Sequence, residues 1–280
     1  MYTPPPTNEL PLMAPLGPLG NVCRLGLATR GDAQLGPDAY LRAIDRGVNY
    51  FNWSGYRDGL STAVRELGPL RSKIFLAAQF EARTAAAASR ELDQMFEELG
   101  TDYLDVLTYY YVEEHSEWDQ IVSPQGAATI LAAAKQSGRV RLIGLTSHQR
   151  DLAAEIAAQG AVDLLMIRYN AAHRGAERQI FPVTMPRTMP VVAYTALRWQ
   201  ALLRSTPSDP ADFVLPTAAE CYQFALGHEG VSVVLMAPDS ESELAEDLEL
   251  LDRGKCLSRE RYQQLVEHGD RVRRHAGSFP

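Results

Sequence analysis

Eight times along the chain a short apolar run is followed by a longer amphipathic segment, and this rhythm constrains the fold more than any other feature. The runs lie at residues 24–30 (RLGLATR), 48–53 (VNYFNW), 73–80 (KIFLAAQF), 103–112 (YLDVLTYYYV), 140–147 (VRLIGLTS), 162–170 (VDLLMIRYN), 190–197 (PVVAYTAL) and 231–238 (VSVVLMAP). Helical patterns follow them at 37–47, 59–67, 84–99, 126–137, 149–159, from 175 onward, at 216–228 and at 241–251. Gly47, Gly100, Gly138 and Gly160 stand where four of these patterns stop, as helix-ending glycines do. The runs are almost continuously apolar, as strands covered on both faces must be.

Eight such units in 280 residues predict an α/β fold of the (β/α)8 TIM barrel type, which needs about 250 residues. The rival is an open doubly wound sheet, and its G-x-G-x-x-G marker after the first strand is absent. No linker divides the chain, so residues 1–280 read as a single domain. Proline-rich residues 1–20 read as an extended arm lying across one end of the fold, and residues 256–280 as an added C-terminal helix. The stretch 204–216 (RSTPSDPADFVLP) reads as a loop within the seventh unit.

Composition excludes several functions. A net charge of −8 argues against a nucleic-acid partner, which requires a basic face. No apolar run approaches the roughly 18 residues of a membrane span, and the N-terminus lacks the basic and apolar regions of a signal peptide. Cys23, Cys221 and Cys256 are too widely spaced for a metal site, and six histidines show no ligand spacing; no metal is expected. Reduced thiols fit a cytoplasmic protein acting on a small molecule. Oligomeric state is not legible.

In a barrel the chemistry sits at the C-terminal strand ends. Read in order, those ends are GVNYFNWSGY, LGTDYLDVLTYYY, GRVRLIGLTSH, RYNAAHRGAE, VVAYTAL and VVLMAPDSESELAEDL. The series, spanning roughly residues 24–250, resembles the aldo/keto reductases (G-x-N-x-F-D-T-A-x-x-Y and its successors). The resemblance implies NAD(P)H-dependent carbonyl reduction by a tyrosine, its pKa lowered by a lysine that an aspartate holds, with a histidine orienting substrate. It carries the aspartate position to Asn52, the tyrosine to Tyr56 (one residue early), the lysine to Gln79 and the histidine to Tyr110. An ordinary phenol, with a pKa near ~10, is a poor acid–base group at neutral pH without a nearby cation. Losing both members of the Asp–Lys pair avoids stranding either charge, so the site reads as rebuilt.

On the cofactor side the resemblance points to Ser147 and His148 after the fifth strand and Met166 in the sixth. Tyr194 would stack on the nicotinamide, and Ala237, Asp239 and Ser240 after the eighth strand would line the cofactor. The acidic run of Asp239, Glu241 and Glu243 would repel a 2′-phosphate, which favours NADH over NADPH. By strand alternation Arg168 faces inward with Met166, and Glu81 shares the face of Gln79. An inward arginine is costly alone, so Arg168 is expected to pair with Glu81 or to bind an anionic ligand group. Alternation also lets at most two of Tyr109, Tyr110 and Tyr111 face the interior, with Tyr109 in the core. Two other readings stand beside the reductase: a lyase or isomerase using Tyr56, Tyr110 and Arg168, and a non-catalytic ligand-binding barrel.

Overall fold

The computed structural model describes residues 9–30 and 35–275. A hairpin of β1 (Met13–Pro15) and β2 (Asn21–Cys23) opens the described chain. Then β3 (Leu25–Ala28), α1 (Pro37–Asp45), β4 (Tyr50–Trp53), α2 (Gly59–Glu66), β5 (Phe75–Phe80) and α3 (Ala85–Leu99) follow. Next come β6 (Leu104–Tyr109), α4 (His115–Val122), α5 (Ala127–Gln136), β7 (Val140–Thr146), α6 (Arg150–Ala158) and β8 (Leu164–Arg168). Two short turns, α7 (Ala176–Gln179) and α8 (Phe181–Thr184), precede β9 (Val191–Tyr194) and α9 (Ala218–Leu226). The chain continues with β10 (Val233–Met236), α10 (Glu241–Leu248), α11 (Leu250–Arg253) and α12 (Arg259–His275).

Strands β3 to β10 close a parallel barrel in chain order, β10 returning to β3 through Val234↔Leu25 and Met236↔Leu27. The alternation of each strand splits the core in two. Inward residues Tyr50, Ala77, Val106, Leu142, Leu164, Val192 and Val233 fill the barrel; outward neighbours such as Phe51, Leu76, Leu107 and Leu145 pack beneath the helices. Gly26 serves this filling: a Cβ there would stand 2.9 Å from Val233 and 3.1 Å from Tyr50.

The helices form where the sequence supplies both a stripe and its ends. In α3, Ala88, Leu92, Met95 and Leu99 recur at helical spacing and are buried. Thr84 caps its start, and Gly100 ends it in the left-handed region at φ 61°.

Two expectations need correction. Over its described part the N-terminal segment is not an extended arm. Gly17 and Gly20 turn it into the β1–β2 hairpin, and Leu16 and Val22 plug the N-terminal end of the barrel beside Tyr50. Residues 1–8 and 276–280 lie outside the described residues, so α12 accounts for the C-terminal helix only as far as His275. The extra helix α4 was hidden by its polar sequence, HSEWDQIV, of which Trp118 and Ile121 are buried. No described helix is long and apolar enough to cross a membrane.

Candidate active site

Continuing each strand's alternation beyond the filled layer brings one ring of side chains to the C-terminal mouth. Asn52 follows Tyr50, Gln79 follows Ala77, Thr146 follows Leu142 and Gly144, Arg168 follows Met166, and Tyr194 follows Val192. A cavity of about 1220 Å³ opens there. Asn52, Gln79, Glu81, Tyr56, Tyr110, Met166, Tyr194 and Ala237 all line it. One end reaches α3 at Glu91, Gln94 and Glu98; the other runs between the loop after β9 and helices α9 and α10, ending at Tyr222 and Asp247.

The structure thus gathers around one cavity the four positions to which the sequence resemblance carries the catalytic roles, Asn52, Tyr56, Gln79 and Tyr110. Tyr56 sits on its rim, 67% exposed. Its turn is pinned by Trp53, whose Nε1–H donates to the Tyr56 carbonyl at 2.7 Å. Asn52 is buried, and its Oδ1 has no hydrogen-bond partner. Burial, then the neighbouring Tyr111, Glu81 and Tyr56, push the Tyr110 phenol up to about 12.

Thr146, not Ser147, is the inward hydroxyl of β7. Its Oγ1 is buried without a hydrogen-bond partner. The Ser147 hydroxyl instead accepts the Gln149 N–H at 2.9 Å at the start of α6. Period-two alternation from Leu142 identifies Thr146, so this correction was within reach of the sequence. His148 is held by Glu113, which accepts its backbone N–H at 2.8 Å and lies 3.3 Å from its Nδ1. Burial and then Arg168 lower the His148 pKa, while Glu113 opposes them.

Tyr111 breaks the expected alternation. Its backbone adopts φ 42°, in the left-handed region that costs an L-residue roughly 1–2 kcal/mol. The twist puts it beside Tyr110 at the mouth, with ring centroids 4.2 Å apart, and stacks it on His148 at 4.3 Å. Tyr109 points outward and packs edge-on against Phe80 and Trp118. The Tyr194 hydroxyl is buried and lacks a partner of hydrogen-bonding geometry, and burial raises its pKa.

The Arg168–Glu81 ion pair does not form. Arg168 ends β8, in backbone register with Tyr194 of β9. Glu81 is exposed on the opposite rim, where its N–H donates to Glu91 and its carbonyl accepts from Arg83. The acidic run after β10 is also less naked than expected. Asp239 pairs with Arg30 and accepts Gln200 Nε2 at 3.1 Å, and Glu241 pairs with Arg42 at 2.7 Å. These cations come from the segment after β3 and from α1, which local sequence cannot show. Ser240 caps α10 by accepting the Glu243 N–H at 3.2 Å.

The loop that lines the cavity after β9 carries Thr195, Arg198, Trp199 and Gln200 at φ 49–63°, a concentration of left-handed non-glycine residues. Trp199 is 57% exposed at the cavity edge. No grouping of three or more metal-binding side chains occurs among the described residues.

A closed parallel barrel with polar groups converging on its C-terminal mouth is the architecture of a barrel enzyme. The aldo/keto reductase family model matches residues 32–214, and the chain belongs to that family. It is 26% identical over 269 residues to L-galactose dehydrogenase of Arabidopsis thaliana, covering 82% of this chain and 81% of the relative. The barrel superimposes on an aldo-keto reductase from Bacillus halodurans in its holo form with TM-score 0.72 at 18% identity, covering 91% of this chain and 95% of that one. It matches an aldo-keto reductase from Klebsiella pneumoniae in complex with NADPH with TM-score 0.71 at 19% identity, covering 90% and 92%.

Proposed function

We propose that this protein is a cytoplasmic NAD(P)H-dependent oxidoreductase that reduces a small carbonyl compound through a rebuilt proton-donating site. The observation that carries the reading is the single cavity running from Asn52, Gln79 and Tyr110 to Tyr222 and Asp247. Two buried polar atoms of residues lining the cavity, Asn52 Oδ1 and Tyr194 Oη, lack a partner of hydrogen-bonding geometry and fit a ligand that brings donors and acceptors to the mouth. The dehydrogenase relative and the NADPH-bound neighbour support the same reading. Cys23, Cys221 and Cys256 are buried and form no disulfide with one another, which suits a reducing compartment.

In this reading Thr146 and Tyr194 hold the nicotinamide end, and Tyr56 or Tyr110 gives the carbonyl oxygen its proton. A reduced nicotinamide, when bound, supplies the hydride. Gln79 offers a neutral amide in place of a cation, so it brings no positive charge to a phenolate formed as the proton leaves. A well-placed general acid contributes about 10²–10⁴ in rate. Reduction of nitrobenzaldehyde by the natural chain is therefore expected near background. The variant Asn52→Asp, Gln79→Lys, Tyr110→His should recover about 10²–10⁴ of it. Robust turnover by the natural chain that vanishes in Tyr56→Phe would overturn this account of the site.

NADH is expected to bind more tightly than NADPH. Glu243, Glu246 and Asp247 line the far end of the cavity, and the lining cation Arg30 is engaged by Asp239. Trp53 and Trp199 line the cavity, so intrinsic fluorescence reads both dissociation constants in one buffer. Tighter NADPH binding would refute the preference. No binding of either at millimolar concentration would refute the oxidoreductase.

A further inference from the structure

Resting on the reductase reading, we propose that the mouth selects neutral or cationic carbonyl compounds bearing hydroxyl or ammonium donors, and rejects carbonyl compounds bearing a carboxylate or phosphate. The cavity lining holds five glutamates, Glu81, Glu91, Glu98, Glu243 and Glu246, and the buried carboxyl of Asp247, against one guanidinium, Arg30, which Asp239 engages. Glu81 and Glu91 stand together where α3 leaves the mouth, on the side of Gln79, and Glu98 lines the same cavity two turns further along α3.

Arg168 of the mouth ring stands on the β8 side, beside Tyr194 and His148 and outside this lining; the cations next to the α3 side are directed to backbone carbonyls. Arg83 donates to the Glu81, Tyr110 and Tyr111 carbonyls, and Arg65 to the Glu97 and Glu98 carbonyls. Glu91 spends its two oxygens on the Glu81 and Ala82 N–H groups, at 2.7 Å each, which fixes the rim that carries Glu81. Glu98 takes Gln94 Nε2 at 2.9 Å.

An independent observation points the same way. Asn52 is 2% exposed, lines this cavity, and has an Oδ1 without a partner. An orphaned acceptor beside carboxylates calls for O–H or N–H donors on the ligand. Unit charges a few ångströms apart in a partly dried cleft interact strongly enough to discriminate by about tenfold or more.

The test uses three benzaldehydes of similar size, substituted at the 4-position with carboxylate, nitro or trimethylammonium. Their binding to the full chain is read by quenching of tryptophan fluorescence, with no need for turnover. The carboxylate should bind at least about tenfold more weakly than the trimethylammonium compound at low ionic strength. The gap should narrow in 0.5 M salt, where the Debye length falls to about 4 Å. Glu81→Gln with Glu98→Gln should improve carboxylate binding and weaken trimethylammonium binding. Equal or tighter carboxylate binding, or a gap that ignores both salt and the double variant, overturns the proposal. If neither NADH nor NADPH binds but the charge order holds, only the reductase reading fails; if a cofactor binds without the charge order, only this inference fails.

Discussion

Asp105→Ala is expected to lower the unfolding free energy by about 3–5 kcal/mol, the usual cost of stranding a buried charge. Asp105 is fully buried near the start of β6. One carboxylate oxygen accepts Arg71 Nη1 and the Leu76 N–H, each at 2.9 Å, and the other accepts Arg141 Nη1 at 2.9 Å. The two guanidiniums also lie over the Tyr103 ring, 4.0 and 4.4 Å from its centroid. Removing the carboxylate leaves Arg71, 9% exposed along its side chain, without its counter-charge. Asp105→Asn keeps acceptors but loses the charge and should fall between the parent and alanine. Chemical denaturation measures both. A loss below about 1 kcal/mol for alanine would mean that water reaches Arg71 and that the pair is a surface interaction. Cofactor affinity should not follow the loss, because Asp105 stands at the opposite end of the barrel from the mouth.

Asp247→Asn is expected to stabilise the protein by roughly 2–4 kcal/mol at pH 8 and hardly at all at pH 4. Burial raises the Asp247 carboxyl from 3.8 to about 7; Glu243 and Glu246 add to the rise, and the Tyr222 hydroxyl, 3.0 Å away, opposes it. The folded state therefore holds this proton more tightly than the unfolded chain. As pH rises from about 4 to about 7 the unfolded chain ionises first, and stability falls by about 1.4 kcal/mol per pH unit over that window. Asparagine keeps an acceptor for Tyr222 and never ionises, so it removes this slope. Denaturation curves at the two pH values check it. An equal difference at both, or a loss at pH 8, would show that Asp247 is solvated or paired in the folded protein.

The legible part of the site follows from strand alternation. Once β4, β5 and β9 are placed, Asn52, Gln79 and Tyr194 must share the inner face with Tyr50, Ala77 and Val192. The same rule applies to β7 and selects Thr146. Ser147, one residue further along, puts its hydroxyl on the Gln149 N–H at the start of α6. Tyr111 lay beyond any such rule: its left-handed backbone occurs after β6 has ended, and nothing in the run TYYYV marks it.

The chain's own pattern determined the eight units, their order, the glycine-ended helices and the inward residue of each strand. Those properties depend on periods of two and 3.6 residues and on local backbone freedom, all of which are written in neighbouring residues. Tertiary structure alone decided which charges meet. Arg30 reaches Asp239 across 209 positions, Arg42 reaches Glu241, and Arg168 and Glu81 do not meet, the Glu81 N–H being taken by Glu91 on the rim. Closure of the barrel also made one cavity of the α3 rim and the α9–α10 groove. Electrostatic pairing depends on distance in space, and long side chains from remote segments meet only after the barrel has closed.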